Sequence, residues 1–327
     1  MVRSTLRWLF GQSAGNRVAG PPADPAAVTE ARLRRNIGLV IAHYFILHIR
    51  TKDVSIPFED VLLSDGNPDL VPHILQRSEL SEPEFAAFRY FTDPDTTVLD
   101  IGAHWGESAA SIWRAGSAAH VLSFEPNPWH RESLRRFREL RPGRFDFLNI
   151  GLSNTRGTLR FVIPVIESMG IGGLASAAIE RELGTVIPDN LVNWMITYLP
   201  DIASPVLQFT EAEFSVAPLD EVLASADLAV PVDRIAAVKL DVEAWETEVI
   251  EGATETLRRH RPALMVESAN RAPTVVDRLA ALGYRYAEFS DGRVCLSNEE
   301  SLRVSGFFLH EARLDEYRQS GLLVAGD

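Results

Sequence analysis

A glycine-containing turn is the first place in this 327-residue sequence where chemistry can be expected. Residues 100–106 read Asp-Ile-Gly-Ala-His-Trp-Gly and follow a short apolar stretch. Gly102 permits a tight turn and the close approach of a ligand to the backbone. A helix beginning after Gly106 would offer free amides to an anionic group, and Asp100 adds an acid at the end of the preceding strand. An ordinary turn between a strand and a helix has the same glycines, so the turn alone predicts only a candidate ligand site.

A second acid follows the next apolar stretch, in Glu125-Pro126-Asn127. An acid about twenty residues beyond such a turn can accept hydrogen bonds from two ribose hydroxyls. NAD-binding domains share this acid, but the usual Gly-x-Gly-x-x-Gly is absent here. Asp100 instead suits a ligand with an ammonium group near the turn, which S-adenosylmethionine (SAM) has and NAD lacks. The two motifs together therefore favour a methyl donor over a hydride carrier.

A third group of charges lies at the end of a later apolar strand. Asp241 and Glu243 would face a substrate there, and the charge of Lys239 within the strand needs a partner. An ion pair of Lys239 and helix capping by Glu243 would explain the same residues without chemistry. A methyl acceptor needs a base for its proton, and we expect Asp241 first, then Glu243, Glu267 and His104. A divalent metal held by Asp241 and neighbouring carboxylates is the less favoured route, and no metal ligands are assigned.

In this order, the three motifs resemble those of the FkbM-type methyltransferases. That family combines Asp-x-Gly-Ala-Asn-x-Gly with Phe-Glu-Pro-Asn, and then Lys-Ile-Asp-Val-Glu-Gly-x-Glu before a helix with Gly-Ala. The matching stretches are residues 100–106, 124–127, 149–153, 218–220, 239–246, 252–253 and 262–267. The chain departs from the pattern at His104, where the family has Asn, at Ala244, where it has Gly, and at Gly151, where it has Ala.

The resemblance implies a SAM-dependent O-methyltransferase that acts on a hydroxyl of a small molecule, sugar or lipid. The candidate catalytic residues are Asp241, Glu243, Lys239 and His104, of which His104 departs from the family pattern. The resemblance also implies cofactor contacts from Asp100, Gly102, Ala103, Gly106, Glu125, Pro126, Asn127, Asn149 and Gly151. Two other functions stay open. One is a cofactor-binding or interaction protein that has lost catalysis, and the other is a nicotinamide-dependent reductase, which the missing third glycine disfavours.

The elements that must position these residues alternate between strands and helices. Strands are predicted over residues 98–101, 121–124, 145–150, 158–163, 235–240, 263–266, 284–289 and 293–296, and helices over 107–114, 129–140, 246–260 and 275–282. This alternation predicts a Rossmann-like α/β fold, a class I methyltransferase sheet with helices on both faces. Ligands of such sheets bind at the carboxyl ends of the strands.

Two further segments complete the predicted organisation. Residues 1–80 are expected to form a mostly helical cap or oligomerisation segment, with a helix over 26–49, a hairpin over 51–63 and a helix over 70–76. Residues 81–327 are expected to form the methyltransferase domain, which opens with a helix over 82–91. Within it, residues 164–214 are an insertion that we interpret as a substrate lid, with helices over 175–183 and 191–199.

Charge and composition limit the partners and the compartment. A formal net charge of −13 disfavours nucleic acid. The arginine-rich first fifty residues suit the acidic body of the chain itself or a second copy of it, so an intramolecular contact and a homodimer through residues 1–80 both stay open. The apolar stretch over residues 37–49 is shorter than a membrane span, and there is no secretory signal. Together with the single cysteine, Cys295, these features predict a cytoplasmic protein without a transmembrane span.

Overall fold

The computed structural model describes residues 50–51, 62–63, 68–166, 169–170, 206–225, 228–242, 245–267, 273–290, 292–297 and 305–324. The chain forms two compact units, the smaller from residues 1–62, 162–175 and 179–211, and the larger from 63–161, 176–178 and 212–327. The helices predicted over 26–49, 175–183 and 191–199, and the residues Glu243 and Ala244, lie outside the described residues. The cap, oligomerisation and lid functions therefore stay predictions.

The strands of the described residues are, in chain order, β1 (Arg50–Thr51), β2 (Leu62–Leu63), β3 (Thr97–Ile101), β4 (His120–Phe124), β5 (Phe145–Leu148), β6 (Gly151–Leu152), β7 (Gly157–Ile166), β8 (Met169–Gly170), β9 (Val206–Ala217), β10 (Ile235–Leu240), β11 (Ala263–Glu267), β12 (Tyr284–Ser290), β13 (Arg293–Leu296), β14 (Ser305–His310) and β15 (Leu323–Val324). The helices are α1 (Val71–Gln76), α2 (Glu107–Arg114), α3 (Arg131–Leu140), α4 (Leu219–Ser225), α5 (Glu246–Gly252), α6 (Thr254–His260), α7 (Pro273–Ala281) and α8 (Leu314–Ser320). No helix in these parts of the chain is long and apolar enough to cross a membrane.

The larger unit is built on a nine-stranded sheet in the order β15-β13-β12-β14-β11-β10-β3-β4-β5. The five strands from β5 to β11 pair in parallel. β14 pairs antiparallel with both β11 and β12, and the two predicted strands β12 and β13 form a hairpin. We did not predict β14, which lies between β11 and that hairpin. Position in a sheet depends on long-range pairing, which the local pattern of residues 305–310 does not encode.

Helices cover both faces of this sheet, as predicted. Successive strand residues enter two different core clusters, for example Val98 and Leu99, because neighbouring side chains of a strand point to opposite faces. Helices α2 and α3 contribute to the cluster that contains Val98. Helices α5, α6 and α7 contribute to the one that contains Leu99. The Rossmann-like α/β prediction is therefore confirmed.

The helix predicted over residues 246–260 is in fact two helices, α5 and α6. Asp220 caps the start of the second, because its carboxylate accepts hydrogen bonds from the amides of Glu255 (2.9 Å) and Thr256 (2.8 Å). The Thr254 hydroxyl donates back to the carbonyl of Glu251 at 2.9 Å. A distant residue thus divides a segment whose own pattern is continuous.

Three other boundaries differ from the predictions. The helix predicted over residues 82–91 is a 3-10 helix, Pro83–Tyr90. The hairpin predicted over 51–63 is wrong for the described strands, since β1 pairs in parallel with β9 and β2 lies at the opposite end of the second sheet, whose order is β1-β9-β7-β8-β2. The strand predicted over 145–150 is shorter, and β6 after it pairs with β9 instead. In the last two cases long-range strand pairing overrides the local pattern.

Candidate active site

The turn between β3 and α2 is pressed against the end of β10. Gly102 has a φ of 77°, and a methyl group in place of its hydrogen would lie 1.7 Å from the carbonyl oxygen of Asp241. The amides of Gly102 and Ala103 both donate to the carbonyl of Phe124, at 3.0 and 3.1 Å. Only glycine permits this approach, so Gly102 is required by the fold of the turn itself.

His104 follows in the same turn with a φ of 51°, in the left-handed region. Asparagine and histidine are both enriched there among residues other than glycine. Its ring lies 4.1 Å from that of the buried His130, measured between centroids. The departure from the family pattern at His104 therefore keeps the backbone conformation of the turn.

Asp100 is completely buried beneath the turn. One carboxylate oxygen, Oδ2, accepts hydrogen bonds from the hydroxyls of Ser108 and Ser123, both at 2.8 Å. The other, Oδ1, has no hydrogen-bond partner among the described residues and lies 3.9 Å from the ammonium of Lys239. Burial raises the pKa of Asp100, and Lys239 and the two serines offset part of that effect.

Lys239 joins the turn to the end of β10. Its ammonium donates to the carbonyl of Gly102 at 2.7 Å and lies 3.0 Å from Oδ2 of Asp241. Burial alone would lower the pKa of Lys239, but Asp241 and Asp100 raise it above the ordinary lysine value. Lys239 therefore stays charged, and its need for a partner within the apolar strand is met by two aspartates.

Asp241 presents its carboxylate from the end of β10, with its side chain 30% exposed. Burial would raise the pKa of Asp241, but the charge of Lys239 and a hydrogen bond with Glu267 hold it below the ordinary value. Glu267 ends the neighbouring strand β11. The pair therefore offers an ionised carboxylate beside a second carboxyl group.

A cavity of about 180 Å³ opens at this edge of the sheet. The residues that line it are Ser81, Glu82, Phe85, Gly102, Ala103, His104, Trp105, Glu107, Ser108, Lys239, Leu240, Asp241, Met265, Glu267 and Ser305. It brings together the predicted residues Gly102, Ala103, His104, Lys239 and Asp241. A cavity with this edge position and this mixture of backbone, charge and apolar surface is typical of a ligand site in an α/β sheet.

The remaining predicted cofactor contacts lie behind the turn rather than in the cavity lining. Glu125 accepts hydrogen bonds from the amides of His104 and Asn127, both at 2.8 Å. The side chain of Asn149 donates to the carbonyl of Glu125 at 2.7 Å. Burial raises the pKa of Glu125, and the two amide hydrogen bonds lower it in part. Glu125 thus supports the turn, and each of its oxygens has capacity for one more hydrogen bond.

Three more predicted residues complete this region. Gly106 begins α2 as its N-cap, with a φ of 101°. Pro126 lies against Gly151 of β6, where a methyl group on Gly151 would lie 3.3 Å from its Cβ atom. These residues shape the backbone around Glu125.

The sequence motifs missed several polar residues of the cavity, among them Glu82 and Ser305. Glu82 precedes the 3-10 helix as its N-cap, and Ser305 begins β14 opposite Glu267. Neither residue belongs to a recognisable motif. Only the approach of distant segments places them at the site. Within the described residues, no group of three or more His, Cys, Asp or Glu side chains is arranged to hold a metal ion.

Comparison with known proteins agrees with the sequence motifs. The family model described as Methyltransferase FkbM domain matches residues 100–286, more than half of the chain. No curated protein gives a significant match.

Among solved structures, methyltransferase FkbM from Methylobacillus flagellatus is 14% identical, with a TM-score of 0.38. The match covers 86% of this chain and 60% of that protein, so this chain spans about three-fifths of its length. An O-methyltransferase from Bacillus cereus, solved in complex with SAH, is 10% identical with a TM-score of 0.34, over 75% of this chain and 90% of that one. A SAM-dependent O-methyltransferase from Thermotoga maritima is 12% identical with a TM-score of 0.30. That match covers 74% of this chain and 69% of the other protein.

Proposed function

Because the chain belongs to the FkbM methyltransferase domain family, we propose that it transfers a methyl group from SAM to a hydroxyl of a small molecule, sugar or lipid. The observation that carries the proposal is the cavity at the ends of β3, β10 and β11. Its floor is the glycine turn, and its wall holds the ion pair of Lys239 and Asp241. The ligand turn and a polar group for the acceptor therefore line the same cavity.

The residues present fit SAM. Gly102 and Ala103 of the turn line the cavity, and the ionised Asp241 and the carboxyl of Glu267 suit a ligand that carries positive charge. The family motif assigns the ribose hydroxyls to Glu125, which lies behind the turn and outside the cavity lining, and whose oxygens each have capacity for one more hydrogen bond. When bound, SAM supplies an electrophilic methyl group on a positively charged sulfur.

The chain's own residues then position the acceptor. Lys239 keeps Asp241 ionised and fixes its Oδ2 atom at 3.0 Å. Asp241 would accept a hydrogen bond from the acceptor hydroxyl and orient its oxygen toward the methyl group. The apolar Phe85 and Met265 in the cavity lining would exclude water from the reaction.

Calorimetry with SAM, S-adenosylhomocysteine (SAH) and NAD tests the cofactor. We expect SAM and SAH to bind and NAD not to bind. Methyl-labelled SAM incubated with a panel of sugars and lipid extracts should then give a labelled product whose carbon resonance is that of a methoxy group. Label on nitrogen or carbon would contradict O-methylation, and binding of NAD alone would contradict the whole proposal. SAH binding without turnover of any acceptor would instead favour a cofactor-binding protein.

A further inference from the structure

A carboxyl group outside every family motif lies in the cavity. Glu82 belongs to the segment of residues 71–90, which comprises α1, the 3-10 helix and the link between them, and it lines the cavity with Asp241 and Lys239. Its side chain is partly buried. The reaction proposed above uses Asp241 to orient the acceptor but assigns Glu82 no part.

The segment that carries Glu82 is tied firmly to helix α2. The guanidinium of Arg114 donates to three backbone carbonyls of the segment, those of Ile74 (2.6 Å), Arg77 (2.7 Å) and Glu79 (2.6 Å). Ser81, the neighbour of Glu82, contacts the Ser111 hydroxyl through its amide (3.1 Å) and its own hydroxyl (2.9 Å). Helix α2 begins at the glycine turn, so one rigid element positions both the turn and Glu82.

Charges from several elements face Glu82. Asp241 and Lys239 lie at the end of β10, Glu84 lies on the segment of Glu82 itself, and the cavity lining adds His104, Glu107 and Glu267. Burial first, and then Asp241, raise the pKa of Glu82 to about 7, with a smaller increase from Glu84 and a partial decrease from Lys239. Glu82 is therefore close to half ionised at neutral pH.

Asp241 is poorly suited to accept a proton by comparison. The ammonium of Lys239 at 3.0 Å lowers the pKa of Asp241, and protonation would remove this ion pair. A general base is most effective when its pKa lies near the working pH. Asp241 therefore suits hydrogen bonding to the acceptor, while Glu82 suits uptake of its proton.

The cavity also contains an unsatisfied hydroxyl group that points to a polar ligand. Ser305 is 2% exposed, and its Oγ atom has no hydrogen-bond partner among the described residues. Its backbone pairs directly with that of Glu267, so both side chains lie on the same face of the sheet. A buried hydroxyl without a partner costs free energy that a bound hydroxyl or ether oxygen would recover.

We propose that Glu82 is the catalytic base of the methyl transfer, a step that rests on the proposed function. The acceptor oxygen forms a bond to the methyl carbon, the carbon–sulfur bond breaks with its electron pair left on sulfur, and the hydroxyl proton moves to the carboxylate of Glu82. The positive charge on sulfur and the negative charge on Glu82 disappear in the same step. The cavity therefore keeps the same net charge before and after transfer.

This charge balance makes a prediction that needs no acceptor. SAM carries the sulfonium charge and SAH does not, while the two share every other charged group. The ionised form of Glu82 should favour SAM, so the ratio of SAM affinity to SAH affinity should rise as the pH passes through 7. If the sulfonium makes Glu82 ten times more acidic, the ratio rises about fivefold between pH 6 and pH 8.

Calorimetry of both ligands at pH 6, 7 and 8 tests this in the wild type and in Glu82→Gln. The ratio should rise with pH in the wild type and stay flat in Glu82→Gln. Glu84→Gln removes the same type of charge from the same segment outside the cavity lining, and should keep the rise. Glu82→Asp retains a carboxylate, so the affinity ratio should again rise with pH. This variant covers the case in which Glu82→Gln folds poorly.

Each outcome bears on one of the two proposals. If neither SAM nor SAH binds the wild type, the proposed function fails. If both bind but the ratio is independent of pH, or the rise persists in folded Glu82→Gln, the assignment of Glu82 is overturned. A rise that disappears in His104→Asn but not in Glu82→Gln would assign the titration to His104. That result would also overturn the assignment of Glu82.

Discussion

At the scale of single residues, Lys239 organises the charges of the cavity. Its ammonium contacts the carbonyl of Gly102 and the carboxylate of Asp241, and lies within reach of the buried Asp100. One side chain thus couples the backbone of the ligand turn to the acid that faces the acceptor. This arrangement explains why a lysine occupies an otherwise apolar strand.

The role of Asp241 can be isolated by Asp241→Asn, which keeps the shape of the side chain and removes its charge. We expect turnover to fall about a hundredfold because the ionised oxygen orients the acceptor, while SAH affinity changes little because SAH lacks the sulfonium charge that Asp241 would attract. Initial rates with labelled SAM and calorimetry with SAH measure the two effects. Turnover at the parent rate would refute the role of Asp241.

A chelator decides between the two routes left open for Asp241. If the carboxylate acts by direct hydrogen bonding, the wild type keeps its rate in the chelator. Loss of activity there, restored by a divalent cation, would require a metal at the ends of β10 and β11.

Glu125 offers a second test at the residue scale. In Glu125→Ala, the amides of His104 and Asn127 lose their acceptor, and the ribose loses its expected partner. Each charged hydrogen bond contributes about 1.5–3 kcal/mol, so SAH affinity should fall about ten- to a hundredfold. Calorimetry checks this, with Glu132→Ala on the exposed side of α3 as the control. Equal SAH affinity in the two folded variants would contradict a cofactor role for Glu125.

At the scale of elements, the residue that follows β6 packs closely against the end of helix α5. A methyl group on Gly252 would lie 2.0 Å from the carbonyl oxygen of Ser153, which follows β6. This contact gives the glycine of the family's Gly-Ala pair a packing role, since no side chain fits there. It also holds the end of α5 next to the cap that Asp220 supplies to α6.

Gly252→Ala should therefore destabilise the fold by about 1–3 kcal/mol, the usual cost of overpacking. Gly157→Ala is a matched control, because a methyl group at Gly157 would contact nothing within 4 Å. Thermal unfolding of the two variants measures the difference. Equal unfolding temperatures would show that the loop carrying Ser153 yields without cost.

At the scale of the whole molecule, the raised pKa of Glu82 links stability to pH. The folded value is about 7 against an ordinary value of 4.5, so the folded state binds more protons than the unfolded state between these limits. This contribution is fully present below pH 4.5 and is lost as the pH rises through 7. Burial also raises the pKa of Asp100 and of Glu125, so these two groups contribute to stability with the same dependence on pH.

We expect Glu82→Gln to be more stable than the wild type at pH 8, by about 1–2 kcal/mol after allowance for partial exposure, and equally stable at pH 4. Denaturant unfolding at the two pH values measures the free energy of unfolding. A wild type that is as stable as Glu82→Gln at pH 8 would contradict the raised pKa of Glu82.

The sequence by itself determined the elements that carry the site. The bounds of α2, β10 and β13 match their predictions, because apolar runs bounded by polar turns report burial directly. The motifs also identified Gly102, Lys239 and Asp241, whose residue types are unusual for their positions. Each of these signals is local, since the residue and the pattern that makes it unusual lie within one segment.

Only the tertiary structure decided which residues share the cavity and how their protons are held. Glu82 and Ser305 reach it from segments far apart in the chain, and Glu125 supports the turn from behind. Asp241 is ionised because Lys239 lies 3.0 Å away, whereas Glu82 is not fully ionised because burial and Asp241 act on it together. A pKa depends on distances between side chains and on the water they exclude, and both are set when the strands and helices pack.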